Sequence, residues 1–122
     1  MNRSLSLLYI DDDEPLRVLA KEQLEEAGYS VTLADDGDTG LDLISKQSYD
    51  VVILDVRMPR MNGIDVLKRL KEMKCSSRIV MLTAVDDITI AIEACKNGAN
   101  DYLTKPFDLH SLISCIDKVA AR

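Results

Sequence analysis

Apolar and polar positions along the chain alternate between two spacings. Residues 5–10, 31–34, 51–54 and 79–82 are short apolar runs, and 102–104 is a weaker fifth. Such runs fit strands of a parallel sheet covered on both faces. Between them, apolar residues recur at helical spacing. Leu16, Leu19, Ala20, Leu24 and Ala27 form one face. Asp13 or Glu14 precedes it, Pro15 suits its first turn and Gly28 ends it. Leu109, Leu112, Ile113, Ile116 and Ala120 form another face, with Asp108 as N-cap. Residues 38–47, 64–73 and 87–97 fill the remaining helical slots. In the fourth helix, Ile88, Ala91, Ile92 and Cys95 are predicted to face the core. Ile90 and Ala94 then fall off that stripe, as surface for a partner or a second copy, or as ordinary exposed apolar residues. Five βα units imply a parallel sheet with right-handed crossovers.

Composition narrows the class. A chain of 122 residues suits one compact domain, and no linker, repeat or low-complexity segment divides residues 1–122. Hydrophobic residues make up 47% and charged residues 30%, the balance of a soluble globular protein. No apolar run approaches the ~20 residues that cross a membrane. Met1, Asn2, Arg3 and Ser4 lead into a strand without a cleavage motif, so a cytoplasmic location is expected. The net charge of −6 argues against binding nucleic acid or anionic membrane. Cys75, Cys95 and Cys115 show no C-x-x-C spacing and are expected as free thiols, packed as small apolar side chains. His110 has no Cys or His at metal-ligand spacing and is expected to face solvent.

Candidate chemistry gathers where the strands end. Sites of open α/β sheets lie at the carboxyl ends of the strands. Asp11-Asp12-Asp13-Glu14 follows the first strand and Asp55 ends the third. Thr83 ends the fourth, and Lys105-Pro106 follows the fifth. Two carboxylates ~4 Å apart repel by about 4 kcal/mol at an effective dielectric of about 20. Packing several together therefore calls for a cation, and an all-oxygen set suits Mg²⁺ or Mn²⁺. Lys105 would add a fixed positive charge. Taken alone, the acidic run also fits a solvated helix cap, and Asp55 alone also fits a turn.

Taken together, these residues resemble the receiver domain of the response regulators of bacterial two-component systems. The resemblance runs through Ile10-Asp11-Asp12-Asp13-Glu14-Pro15 and through residues 50–63, which include Leu54-Asp55-Val56-Arg57-Met58-Pro59. It continues through Leu82-Thr83-Ala84 and residues 98–107, which include Tyr102-Leu103-Thr104-Lys105-Pro106-Phe107. Each segment is weak alone; all four in order are specific. The resemblance implies a flavodoxin-like (βα)5 three-layer sandwich with strand order 2-1-3-4-5. It implies that Asp55 accepts a phosphoryl group from a sensor histidine kinase or phosphotransfer protein. It assigns metal binding to Asp11, Asp12, Asp55 and the backbone carbonyl of Arg57, with Asp12 ligating directly and Asp11 through water. Asp13 is then left as a helix cap. Thr83 and Lys105 would bind phosphoryl oxygens, Thr83 and Tyr102 would switch, and Lys105-Pro106 would be a cis peptide. The signal would leave through the surface of the fourth helix, fifth strand and fifth helix, toward an output domain, a downstream protein or a second copy. Taken without the resemblance, Tyr102 is an amphipathic strand residue with a wet hydroxyl. Gly63 would end a turn, or serve as a simple loop glycine.

Arg57 and Val85 follow Asp55 and Thr83 by two residues, where the family positions flank the path of a hydrolytic water. Arg57 is bulky and Val85 cannot orient a water, so slow autodephosphorylation is expected, without turnover catalysis. An aspartyl phosphatase would carry D-x-D, and Arg57 stands in place of the second aspartate. A flavin binder would need a hydroxyl- or glycine-rich loop where Asp11–Glu14 stands, and no P-loop is present. A receiver fold used only for docking would not need this set of polar residues.

Overall fold

The computed structural model describes residues 4–121. Five strands alternate with five helices: β1 (Ser6–Ile10), α1 (Glu14–Glu26), β2 (Ser30–Ala34), α2 (Gly37–Lys46), β3 (Val51–Asp55), α3 (Gly63–Glu72), β4 (Arg78–Ala84), α4 (Ile88–Lys96), β5 (Asp101–Lys105) and α5 (Leu109–Ala120). A 3₁₀ turn, Val85–Asp87, leads into α4. All strand pairs are parallel, in the order β2-β1-β3-β4-β5. This is the flavodoxin-like arrangement.

Strand periodicity sorts the core into two layers. Leu8, Ile10, Val52, Leu54, Ile79 and Met81 face α2, α3 and α4, where they meet Val66, Leu67, Leu70 and Ala94. Leu7, Tyr9, Val51, Ile53, Val80 and Leu82 face α1 and α5, against Ala20, Leu24, Leu112, Ile116 and Val119. Every residue of β3 is buried, as its unbroken apolar run requires of a central strand.

Side chains at the helix starts fix where the chain leaves the sheet. Asp13, Asp36, Asn62 and Asp108 each accept a hydrogen bond from the backbone three residues on, at the first turns of α1, α2, α3 and α5. Such caps satisfy amides with no partner inside the helix. Gly28, at φ +104°, takes the left-handed position after α1.

Two helical faces differ from expectation. On α1 only Ala20 and Leu24 are buried and Leu16 half-buried; Leu19 is exposed, as is Ala27. The helix rests on its 16-20-24 row, so a residue three places from Leu16 points outward. On α4 the buried pair is Ala91 and Ala94, while Ile92 is 44% exposed. Two alanines let the helix lie close against β4 and β5, which turns Ile92 away and brings Ala94 in. Ile88 and Cys95 are half-buried beside them, and Ile90 is exposed as expected. His110 is exposed, Cys115 is buried, and Cys75 and Cys95 are half-buried free thiols. No helix among the described residues is long and apolar enough to cross a membrane.

Candidate functional site

Asp55 is the last residue of β3 and Asp11 the first after β1, one strand away. Both are buried, Asp11 completely. Thr83 is the next-to-last residue of β4 and Lys105 the last of β5, so both lie within strands rather than just beyond them. Parallel pairing in register brings these four positions to one edge of the sheet. Thr83 is buried, and its hydroxyl donates to the Ala84 carbonyl (3.1 Å). The Lys105–Pro106 peptide is cis. Tyr102 is half-buried and packs against the core layer under α2, α3 and α4.

The charges interlock. Lys105 Nζ donates to Asp11 Oδ2 at 2.9 Å and lies 3.3 Å from Asp55 Oδ1. Burial works against the ammonium, but the hydrogen bond to Asp11 and the two carboxylate charges hold its pKa above the ordinary value. Burial, then the charge of Asp11, outweighs Lys105 at Asp55 and pushes its carboxyl up to about 7. Lys105 thus offsets only part of the burial and like-charge repulsion that raise the Asp55 carboxyl. Asp11, Asp12 and Asp55 each offer a carboxylate oxygen within 4.8 Å of the others, with Asp12 exposed. An oxygen-only donor set with an under-neutralised buried carboxylate fits a hard divalent cation.

The run of three aspartates divides its labour. The Asp13 side chain caps α1 at the Leu16 amide, and the Asp13 amide donates to Asp11 Oδ1 (3.0 Å). Arg17 donates to the Asp11 carbonyl (2.8 Å), which fixes the backbone behind the cluster.

Three contributors escape a reading by motif. Gly63 opens α3 rather than ending a turn; a Cβ there would collide with the Asp55 carbonyl oxygen and stand 2.9 Å from Val56 Cα. Its amide also donates to the Val56 carbonyl (2.8 Å). Only glycine lets α3 start so close under Asp55. Asp87 receives both Nε and a terminal nitrogen of Arg57, each at 2.7 Å. These bonds hold the Asp87 carboxyl below the usual carboxylate range. Tyr9 lies beneath the site, fully buried, and its hydroxyl has no hydrogen-bond partner among the described residues. Its only sequence signal is a phenol two residues before Asp11 in a strand that is otherwise aliphatic over its last positions.

The response regulator receiver domain family matches residues 7–117. The transcriptional regulatory protein YkoG of Bacillus subtilis is 37% identical over 110 residues, which cover 90% of this chain and 48% of that protein. Response regulator MprA of Mycolicibacterium vanbaalenii is 41% identical over 108 residues, 88% of this chain and 47% of that one. The chain thus spans about half the length of the curated relatives it matches. Among solved structures, the receiver domain of the Francisella response regulator 1452 aligns with a TM-score of 0.90 at 36% identity, covering 98% of both chains. Full-length FixJ from B. japonicum aligns at 0.92 and 37% identity, covering 98% of this chain and 59% of that one.

Proposed function

This chain belongs to the receiver domain family of two-component response regulators, signalling proteins rather than turnover enzymes, and on that premise we propose that Asp55 is its phosphoryl acceptor. The observation that carries the reading is the buried Asp55 carboxylate at the end of β3, which shares the Lys105 ammonium with Asp11. Residues 1–122 act as one receiver domain.

The donor is a phosphohistidine on a sensor kinase or phosphotransfer protein. A carboxylate oxygen of Asp55 attacks phosphorus as the P–N bond breaks. The electron pair of that bond stays on the histidine, which takes up a proton, and Asp55 becomes an acyl phosphate. Asp11, Asp12, Asp55 and the Arg57 carbonyl would hold Mg²⁺, or Mn²⁺, with Asp12 ligating directly and Asp11 through water. The ion supplies charge neutralisation and orientation for the transferring group. Lys105 and the Thr83 hydroxyl bind the phosphoryl oxygens. Thr83 must give up its bond to the Ala84 carbonyl to do so, and Tyr102 on the adjacent strand follows. The resulting change on α4, β5 and α5 is read by an output domain, a downstream protein or a second copy, in the cytoplasm and without direct contact to nucleic acid or membrane.

Acetyl phosphate and Mg²⁺, followed by intact mass, test the acceptor. Wild type should gain one phosphoryl group, and Asp55→Asn, or wild type in EDTA, should gain none. Addition to both proteins would move the site elsewhere. The lifetime follows from the same spectra. Val85 is 63% exposed and has no group to orient a water, and the bulky Arg57 flanks the same approach to Asp55. Decay should take minutes or longer, and loss within seconds in Mg²⁺ would contradict this reading.

A further inference from the structure

Of the five helices among the described residues, α4 alone starts without a side-chain cap, although its N-cap residue is Asp87, a residue type well suited to the task. Asp87 is turned elsewhere: each of its carboxylate oxygens accepts from Arg57 at 2.7 Å instead. The backbone records the same diversion. The four capping residues are extended, with ψ of 100°, 172°, 173° and 163°. Asp87 instead has φ −105° and ψ 14°, at the end of the 3₁₀ turn. For Asp87 to cap α4, its ψ must swing to the extended region and the 3₁₀ turn must unwind. The other half of the pair sits beside the phosphoryl acceptor: Arg57 follows Asp55 by two residues, and its side chain is 73% exposed and so able to turn.

We propose that Arg57 and Asp87 form a latch, in which the phosphoryl group on Asp55 draws the guanidinium away and the released Asp87 becomes the missing N-cap of α4. The inference rests on Asp55 being the acceptor. The direction follows from charge. Asp87 offers one negative charge on two oxygens, whereas the phosphoryl group presents up to about two on three terminal oxygens that suit a guanidinium. Since the acyl phosphate consumes the Asp55 carboxylate charge, the site becomes more negative by about one. The loss of the ion pair is offset at both ends, by the new contact of Arg57 and by the cap on the first-turn amides of α4. The outcome is a two-position element whose balance the phosphoryl group tips. It carries the signal directly from the loop after β3 to α4. Arg57 is a binding residue in this scheme, and Asp87 a positioning one.

The amide to watch is that of Ile90, third in α4, which corresponds to the amides capped in the other four helices. Its hydrogen exchange is measured on isotope-labelled protein with and without acetyl phosphate and Mg²⁺, with the phosphoryl content of each sample read by intact mass. In wild type, exchange at Ile90 should slow about fivefold on phosphorylation, the effect of one cap. Arg57→Gln should be slow before any phosphorylation. Asp87→Asn should be slow in both states, because Asn caps as well as Asp but forms no ion pair. Asp87→Ala should be fast in both. Unchanged exchange in wild type that carries the phosphoryl group overturns the latch and leaves Asp55 as the acceptor. If mass shows no phosphoryl group, the acceptor reading fails. The latch is then still decided by the unphosphorylated proteins, where equal rates in wild type and Arg57→Gln overturn it.

Discussion

Tyr9 packs its ring into the layer under α1 and α5 with a hydroxyl that reaches no partner among the described residues. Burial, then the charges of Asp11, Asp55 and Asp13, pushes the phenol pKa upward, so the hydroxyl stays protonated. A buried polar atom without a hydrogen bond costs roughly 1–3 kcal/mol. Tyr9→Phe keeps the ring and removes that atom. Urea unfolding should therefore show Tyr9→Phe as stable as wild type, or more stable by about 1 kcal/mol. A loss of more than that would mean the hydroxyl has a bound water as partner. The contrast with Asp55 is instructive. Both are buried polar groups, but Asp55 faces Lys105 and two other carboxylates, the company that the proposed phosphoryl transfer calls for. That company was legible in the sequence, because Asp11, Asp55, Thr83 and Lys105 each fall at a strand end. Tyr9 was not, because nothing in a run of apolar residues tells a satisfied phenol from an orphan.

At the scale of elements, periodicity located all five strands and all five helices, with edges moved by one or two residues. Its failures share a physical cause. The α1 and α4 faces are narrower than an amphipathic stripe suggests, and which apolar residue points inward depends on how closely the helix rests on the sheet. Ala91 and Ala94 permit a close seat on α4, so the larger Ile92 is left outside. A hydrophobicity pattern ranks isoleucine above alanine and cannot see that distance. Gly63 follows the same logic. Read as punctuation it marks a turn, but its value lies in having no Cβ where α3 starts beneath the Asp55 carbonyl. The Arg57–Asp87 pair joins two loops 30 residues apart, a separation at which charge alone names no partner.

For the whole molecule, the site at the sheet edge sets a pH dependence. The Asp55 carboxyl is raised from 3.8 to about 7 in the fold, whereas in the unfolded chain it returns to the ordinary range. Between those values the folded protein holds a proton that the unfolded chain has released. Stability from this group is thus fully present below about pH 4 and is lost as pH rises through about 7. Asp36, Asp87 and Asp108, whose carboxyls are held low by hydrogen bonds, act in the opposite sense and lose stability as pH falls. Comparison with Asp55→Asn removes their contribution, since it keeps all three. In EDTA, Asp55→Asn should gain on wild type between pH 5 and pH 7.5 by about 2 kcal/mol, roughly 6–12 °C in thermal midpoint for a domain of this size. Divalent cation favours the ionised carboxylate and should stabilise wild type more at pH 7.5 than at pH 5, with little effect on Asp55→Asn. Thermal unfolding of both proteins at the two pH values, with Mg²⁺ and with EDTA, checks all of this together. A wild-type midpoint that keeps pace with Asp55→Asn across this range in EDTA would mean that Lys105 alone neutralises the cluster, and that no cation is needed to hold Asp55 ionised for attack.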